Sequence, residues 1–170
     1  MLVSLLIWLE NLAPFSSLRS SAYAYPIVLA LHVSAISLFG ALIVASDLRL
    51  LGWAYADCPI SEIINQLRWP KRLAFILAAT FGFLLFACKG EEYYYNPYFR
   101  TKILLFLLIA IHAVAFRRSI YSDPAKLDHS LNPPAQARLA GSLSLLLWLA
   151  VLCAGRGIGY IAGRPGMHYN

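Results

Sequence analysis

From Ser20 to Ser46 the chain runs 27 residues without an Asp, Glu, Lys or Arg. Crossing the hydrocarbon core of a bilayer takes about 20 predominantly apolar residues in a helix. A run that long, apolar on every face, cannot present the polar side that a surface helix of a soluble domain requires. Three further uncharged runs follow, Leu73–Cys88, Ile103–Phe116 and Leu139–Gly155, of 16, 14 and 17 residues. Each reaches spanning length once its flanks are included. Lys71, Arg72, Lys89, Lys102, Arg117, Arg138 and Arg156 stand at their ends. Basic side chains there lay their stems along lipid and hold the charge at the surface. Trp69, Tyr98 and Phe99 add aromatic anchors at the same depths.

The pattern predicts an all-α integral membrane protein with one membrane domain over residues 1–170. Four transmembrane helices, at about 23–47, 69–89, 98–119 and 138–157, are expected to form a bundle. Pro26 and Pro70 suit the first turns of the first and second spans. Asn96-Pro97 opens the third, and Asn132-Pro133-Pro134 breaks the chain before the fourth. Composition agrees: 60% of the chain is hydrophobic and 13% charged, with a mean hydropathy of +0.65. That balance excludes a soluble enzyme, a disordered tail and a free nucleic-acid binder. The net charge of +6 is explained by basic helix ends near anionic lipid, so no nucleic-acid partner is implied.

Ahead of the first span, Leu2, Leu5, Leu6, Leu9 and Leu12 recur at helical spacing before Pro14. No basic segment precedes them, which makes a poor signal peptide and a better interfacial amphipathic helix over about 2–13. Four spans put both termini on one side. The loops between spans 1–2 and 3–4 carry 8 of the Lys and Arg residues, and the other side carries 6. Positive charge marks the cytoplasmic side. The expectation is a multi-pass membrane protein with both termini and the tyrosine-rich loop Gly90–Tyr98 on the external side.

His32 and His112 lie inside apolar spans, where an ionisable group is costly and marks a functional site by default. Imidazole is the usual axial ligand of b-type haem, and two of them on two helices are the minimum for a bis-His site. The alternative is a neutral histidine hydrogen-bonded across helices as packing glue. The helical rise puts the two Cα levels roughly 10 Å apart, which disfavours one haem spanning both. Asp47 sits at a helix C-terminus, where the dipole disfavours negative charge, so a cation such as Arg49, Lys71 or Arg72 should accompany it and pin the inner end; the alternative is a proton or quinone site. The glycine string Gly155–Gly159 around Arg156 follows a membrane helix and not a strand, so it is no dinucleotide loop. Those glycines are expected to let the chain leave the fourth span, with Arg156 facing phosphate headgroups or Glu91 and Glu92. Tyr93, Tyr94, Tyr95 and Tyr98 read as an interfacial aromatic belt. His129 reads as a surface-loop residue. His168, Met167, Cys88 and Cys153 are soft ligands in no recognised metal spacing, and Cys88 and Cys153 could pair as a disulfide in an oxidising compartment. Motifs for hydrolase, kinase and protease chemistry are missing from the sequence.

The segments His32-Val33 through Gly40 to Asp47-Leu48-Arg49-Leu50-Leu51-Gly52, Asn96 to Lys102, and Trp148 through Gly155-Arg156 to Tyr160 carry a resemblance. From about Tyr25 to Tyr160 the chain resembles a bacterial family of small four-helix inner-membrane proteins of unknown function. That family is distantly similar to the copper-resistance D membrane domain and to b-type cytochrome bundles. The resemblance matches His32, Asp47, Arg49, Lys102 and Arg156 and, less closely, His112. It leaves three expectations. The first is a subunit holding haem b at His32 and His112, passing electrons between an external redox partner and the quinone pool. The second is a non-catalytic membrane anchor among other protein subunits, and the third is a copper-handling membrane protein.

Overall fold

The computed structural model describes residues 1–116, 120, 123–128 and 133–162, without the side chains of residues 124, 126, 161 and 162. Arg117, Arg118, His129, Arg164, Met167 and His168 lie outside the described residues. In chain order the helices are α1 (Leu2–Glu10), α2 (Ala13–Ser20), α3 (Ala24–Leu51), α4 (Ile60–Cys88), α5 (Gly90–Tyr95), α6 (Pro97–Phe116) and α7 (Ala135–Ala162). A 3-10 turn, Pro124–Leu127, precedes α7. The four long helices, α3, α4, α6 and α7, are each long and apolar enough to cross a membrane, as the uncharged runs predict. Helix α3 packs on α4 and on α7, and α6 packs on α7.

Burial is inverted relative to a soluble protein. Leu29, Leu31, Leu104, Leu107, Ile111 and Val114 are exposed, whereas Ser46, Asp47, Arg49, Asn96 and Ser144 are buried. Lipid is as apolar as leucine, so nothing drives these side chains inward, while polar groups gain by turning away from hydrocarbon. The bundle has two distinct ends. The hairpin end gathers α1, α2, α5 and the adjoining ends of the spans. The loop end holds a small core of Leu50, Ile60, Ile64, Ile120, Leu127, Ala137 and Ala140, with Phe116 against it.

Three local expectations are corrected. Helix α4 begins at Ile60 and not near 69, so Pro70 lies inside the helix and not in its first turn. The reason is a cap supplied from afar. Asp128 accepts the backbone N–H of Ser61 at 3.0 Å and the Ser61 hydroxyl, holding a carboxylate at the start of α4. Second, the Gly155–Gly159 string does not end the last span, because α7 continues helically to Ala162. Its glycines make room for α6: a Cβ on Gly157 would lie 2.5 Å from the Tyr98 ring, and one on Gly155 3.8 Å from Lys102 Nζ. Third, the N-terminal segment is two helices, with Pro14 in the first turn of α2.

Two ends are set by residues legible in the sequence. Gly52 closes α3 in the left-handed region at φ 77, with its N–H on Arg49 O. Asn96 caps α6: its Oδ1 accepts the Tyr98 and Phe99 N–H groups at 3.0 and 3.3 Å, and Pro97 follows in the first turn. The hairpin end is tied by Glu10, whose Oε1 accepts the Glu91 N–H at 2.6 Å. Its Oε2 meets Arg19 at 2.9 Å, and Arg19 also donates to Cys88 O at 3.2 Å.

Candidate functional site

Each span contributes one ring to an aromatic layer across the middle of the bundle. Phe75 of α4 meets Phe39 of α3 at 5.6 Å between centroids. Phe39 meets Trp148 of α7 at 4.9 Å, and Trp148 meets Phe106 of α6 at 6.4 Å. Offset and edge-to-face contacts of this kind are favourable beyond their buried area. The polar side chains inside the membrane fall on either side of this layer.

On the hairpin side stand His32 and Lys102. The His32 ring crosses from α3 to α4, where its Nδ1 donates to Ala78 O at 2.9 Å. It packs against Gly82, one turn further along α4; a Cβ there would come within 2.8 Å of His32 Cε1. The carbonyl can only accept, so Nδ1 carries the proton and Nε2 keeps its lone pair. Lys102 lies over Gly155 with its Nζ 5.7 Å from the Phe106 ring centre, and its charge acts on His32. Arg156 turns along its own helix and stacks on Tyr160 at 4.9 Å. Nearer the surface, Phe86, Phe99 and Tyr93 form a stacked column, with neighbouring centroids 5.5 and 5.3 Å apart. Burial pushes the Tyr93 hydroxyl well above the ordinary phenol range, and a hydrogen bond with Tyr25 adds to it. The expected loop Gly90–Tyr98 is largely the short helix α5.

On the loop side stand Asp47, Ser46, Lys71, Ser144 and His112. Asp47 is 3% exposed. The Ser144 hydroxyl from α7 hydrogen-bonds its carboxyl, and Lys71 of α4 faces it. Among the described residues its Oδ2 has no hydrogen-bond partner. Lys71 Nζ donates to Ser46 Oγ at 2.9 Å, and Ser46 donates to Leu42 O at 2.7 Å. Arg49, expected beside Asp47, turns away and donates from Nε to Cys58 O at 2.7 Å. His112 of α6 donates from Nε2 to Ala140 O of α7 at 3.0 Å and packs at a tilt against Phe116.

The structure therefore does not bring His32 and His112 together. They serve different helix pairs on opposite sides of the aromatic layer. His32 alone is seated with Nδ1 on a carbonyl and Nε2 left over, the arrangement that orients an imidazole toward a metal. Among the described residues, no three His, Cys, Asp or Glu side chains converge on a metal-sized position. Cys58, Cys88 and Cys153 are free thiols, and Cys88 Sγ lies 3.5 Å from Phe15 O. Sequence reasoning passed over Ser46, Gly82 and Ser144 as site members. Ser144 carried a faint signal, a hydroxyl three residues after Gly141 in an apolar run. Gly141 lets α7 touch α3: a Cβ there would lie 3.0 Å from Asp47 O.

Four spans with buried polar strata define a small multi-pass membrane protein. The chain belongs to a family of unknown function, DUF6644, which matches residues 19–161. No curated protein and no solved structure matches it.

Proposed function

We propose that the protein is a non-catalytic membrane subunit, a four-helix anchor of the bacterial inner membrane that works with other protein subunits. The observation that carries this reading is what the two intramembrane imidazoles do. Each donates to a backbone carbonyl of the facing helix, His32 to Ala78 and His112 to Ala140, at 2.9 and 3.0 Å. Both are used as interhelical pins, the structural role a neutral histidine takes in a bundle. The bias of basic residues supports an orientation with both termini in the periplasm.

A second reading has its own observation. With Nδ1 held by Ala78 O, Nε2 of His32 is the nitrogen available to a haem iron. When bound, such a haem would supply one-electron transfer between an external partner and the quinone pool, and a second axial ligand would have to come from outside the pair His32 and His112. Purification in mild detergent followed by an optical spectrum separates the two. A colourless, folded and metal-free protein, destabilised but otherwise unaltered by H32A, agrees with the anchor. A stoichiometric Soret band lost in H32A overturns it in favour of haem. Stoichiometric copper by elemental analysis overturns both.

A further inference from the structure

We propose that Asp47 is a proton-exchange site within the membrane, a carboxyl that takes up and releases a proton on the loop side of the bundle. The proposal starts from an unsatisfied atom. Asp47 is 3% exposed, and its Oδ2 has no hydrogen-bond partner among the described residues. A bare carboxylate oxygen removed from water is among the costliest groups a fold can hold. A proton on Oδ2 removes that charge, while Ser144 continues to serve the carboxyl from α7.

The surrounding charges fit this role. Lys71 of α4 faces the carboxyl, yet its ammonium is seated on Ser46 Oγ at 2.9 Å, one residue away along α3. Arg68, a turn before Lys71 on α4, acts on Lys71. Arg49, on Asp47's own helix, is held by Cys58 O. From α7 the facing groups are Ser144 and the backbone at Gly141, neither of which titrates near neutrality. Among the described residues, Lys71 is thus the cation seated next to the carboxyl without pairing it.

This arrangement gives two states. With the proton on Oδ2, Lys71 rests on Ser46, as in the structure. When the carboxyl O–H bond breaks, the proton leaves to water at the loop end. The Lys71 ammonium then moves from Ser46 onto the carboxylate and supplies the positive charge that the proton carried. Proton and ammonium alternate at one oxygen, and the net charge of the pocket tracks proton uptake. The inference stands apart from the anchor and haem readings, since neither involves Asp47.

Dicyclohexylcarbodiimide, an apolar reagent that adds to protonated carboxyl groups in membranes, tests it on the purified full-length protein. The expected result is one adduct, mapped to Asp47 by mass spectrometry and lost in D47N. Labelling should fall across a series from acid to alkaline pH, and should persist further along it in K71M, where no ammonium can replace the proton. If D47N does not fold, the wild-type map and the K71M pH profile carry the test. A folded wild type in which Asp47 stays unlabelled across that range, or a K71M profile identical to wild type, overturns the proposal and leaves Asp47 as a permanently ionised structural group.

Discussion

His32 is held by two residues of α4 that act in opposite senses. Ala78 offers a carbonyl, and Gly82 offers the absence of a side chain. G82A should therefore act through His32. Its Cβ would come within 2.8 Å of Cε1, so the ring must shift, and its bond to Ala78 O is strained. The expected loss is about 1–3 kcal/mol, read as a lower thermal midpoint in detergent. In a double-mutant cycle, G82A in an H32A background should cost much less than in the wild type. Equal costs would mean that Gly82 serves helix contact in general and not the imidazole. His32 was legible as a polar residue in an apolar run. Gly82 was legible only as a small residue that allows close helix contact, since nothing local to it announces a ring arriving from 50 residues earlier.

At the scale of elements, legibility followed where the capping group comes from. Helix α6 begins where Asn96-Pro97 says it should, because the cap is the preceding side chain. Asn96 is 2% exposed and also donates to Ile158 O at 3.4 Å, so it ties α6 to α7 as well. N96A should cost about 1–2 kcal/mol, from the lost cap of α6 and the lost tie to α7. An unchanged unfolding midpoint would remove Asn96 from both roles. Helix α4 was misread by a turn and more because its cap, Asp128, lies 67 residues along the chain. Burial alone would raise the Asp128 carboxyl, but the hydrogen bonds from Ser61 prevail and hold it below the ordinary carboxylate range. A carboxyl lowered by folding stabilises the fold above its unfolded value, near pH 4, and that contribution is lost as pH falls through the folded value. Wild type should therefore lose stability on acidification in that window by more than D128N does. Parallel profiles for the two would show that Asp128 does not hold α4.

For the molecule as a whole, counting uncharged residues was enough to find four spans, because the bilayer sets their length. The polar strata were not countable in that way. They depend on which helix faces which, and Asp47, Lys71 and Ser144 come from three different spans. The hairpin end was likewise hidden, since Glu10 meets Arg19 and Glu91 only after α1 and α2 fold back over the end of α4. E10Q removes the ion pair and weakens the acceptor for the Glu91 N–H, at a cost of about 1–3 kcal/mol confined to the hairpin. The measurable outcome is faster limited proteolysis between α1 and α2 with the global unfolding midpoint little changed. A large drop in that midpoint would instead make the hairpin part of the cooperative fold.

The aromatic layer has a consequence for traffic. Four rings in a chain of contacts, one per helix, stand as an apolar bulkhead between the group of Asp47, Lys71 and Ser144 and that of His32 and Lys102. A hydrated ion passing from one group to the other would have to part those rings. On the proposal that Asp47 exchanges a proton, that proton leaves on the loop side by which it came, since the rings separate it from His32 and Lys102.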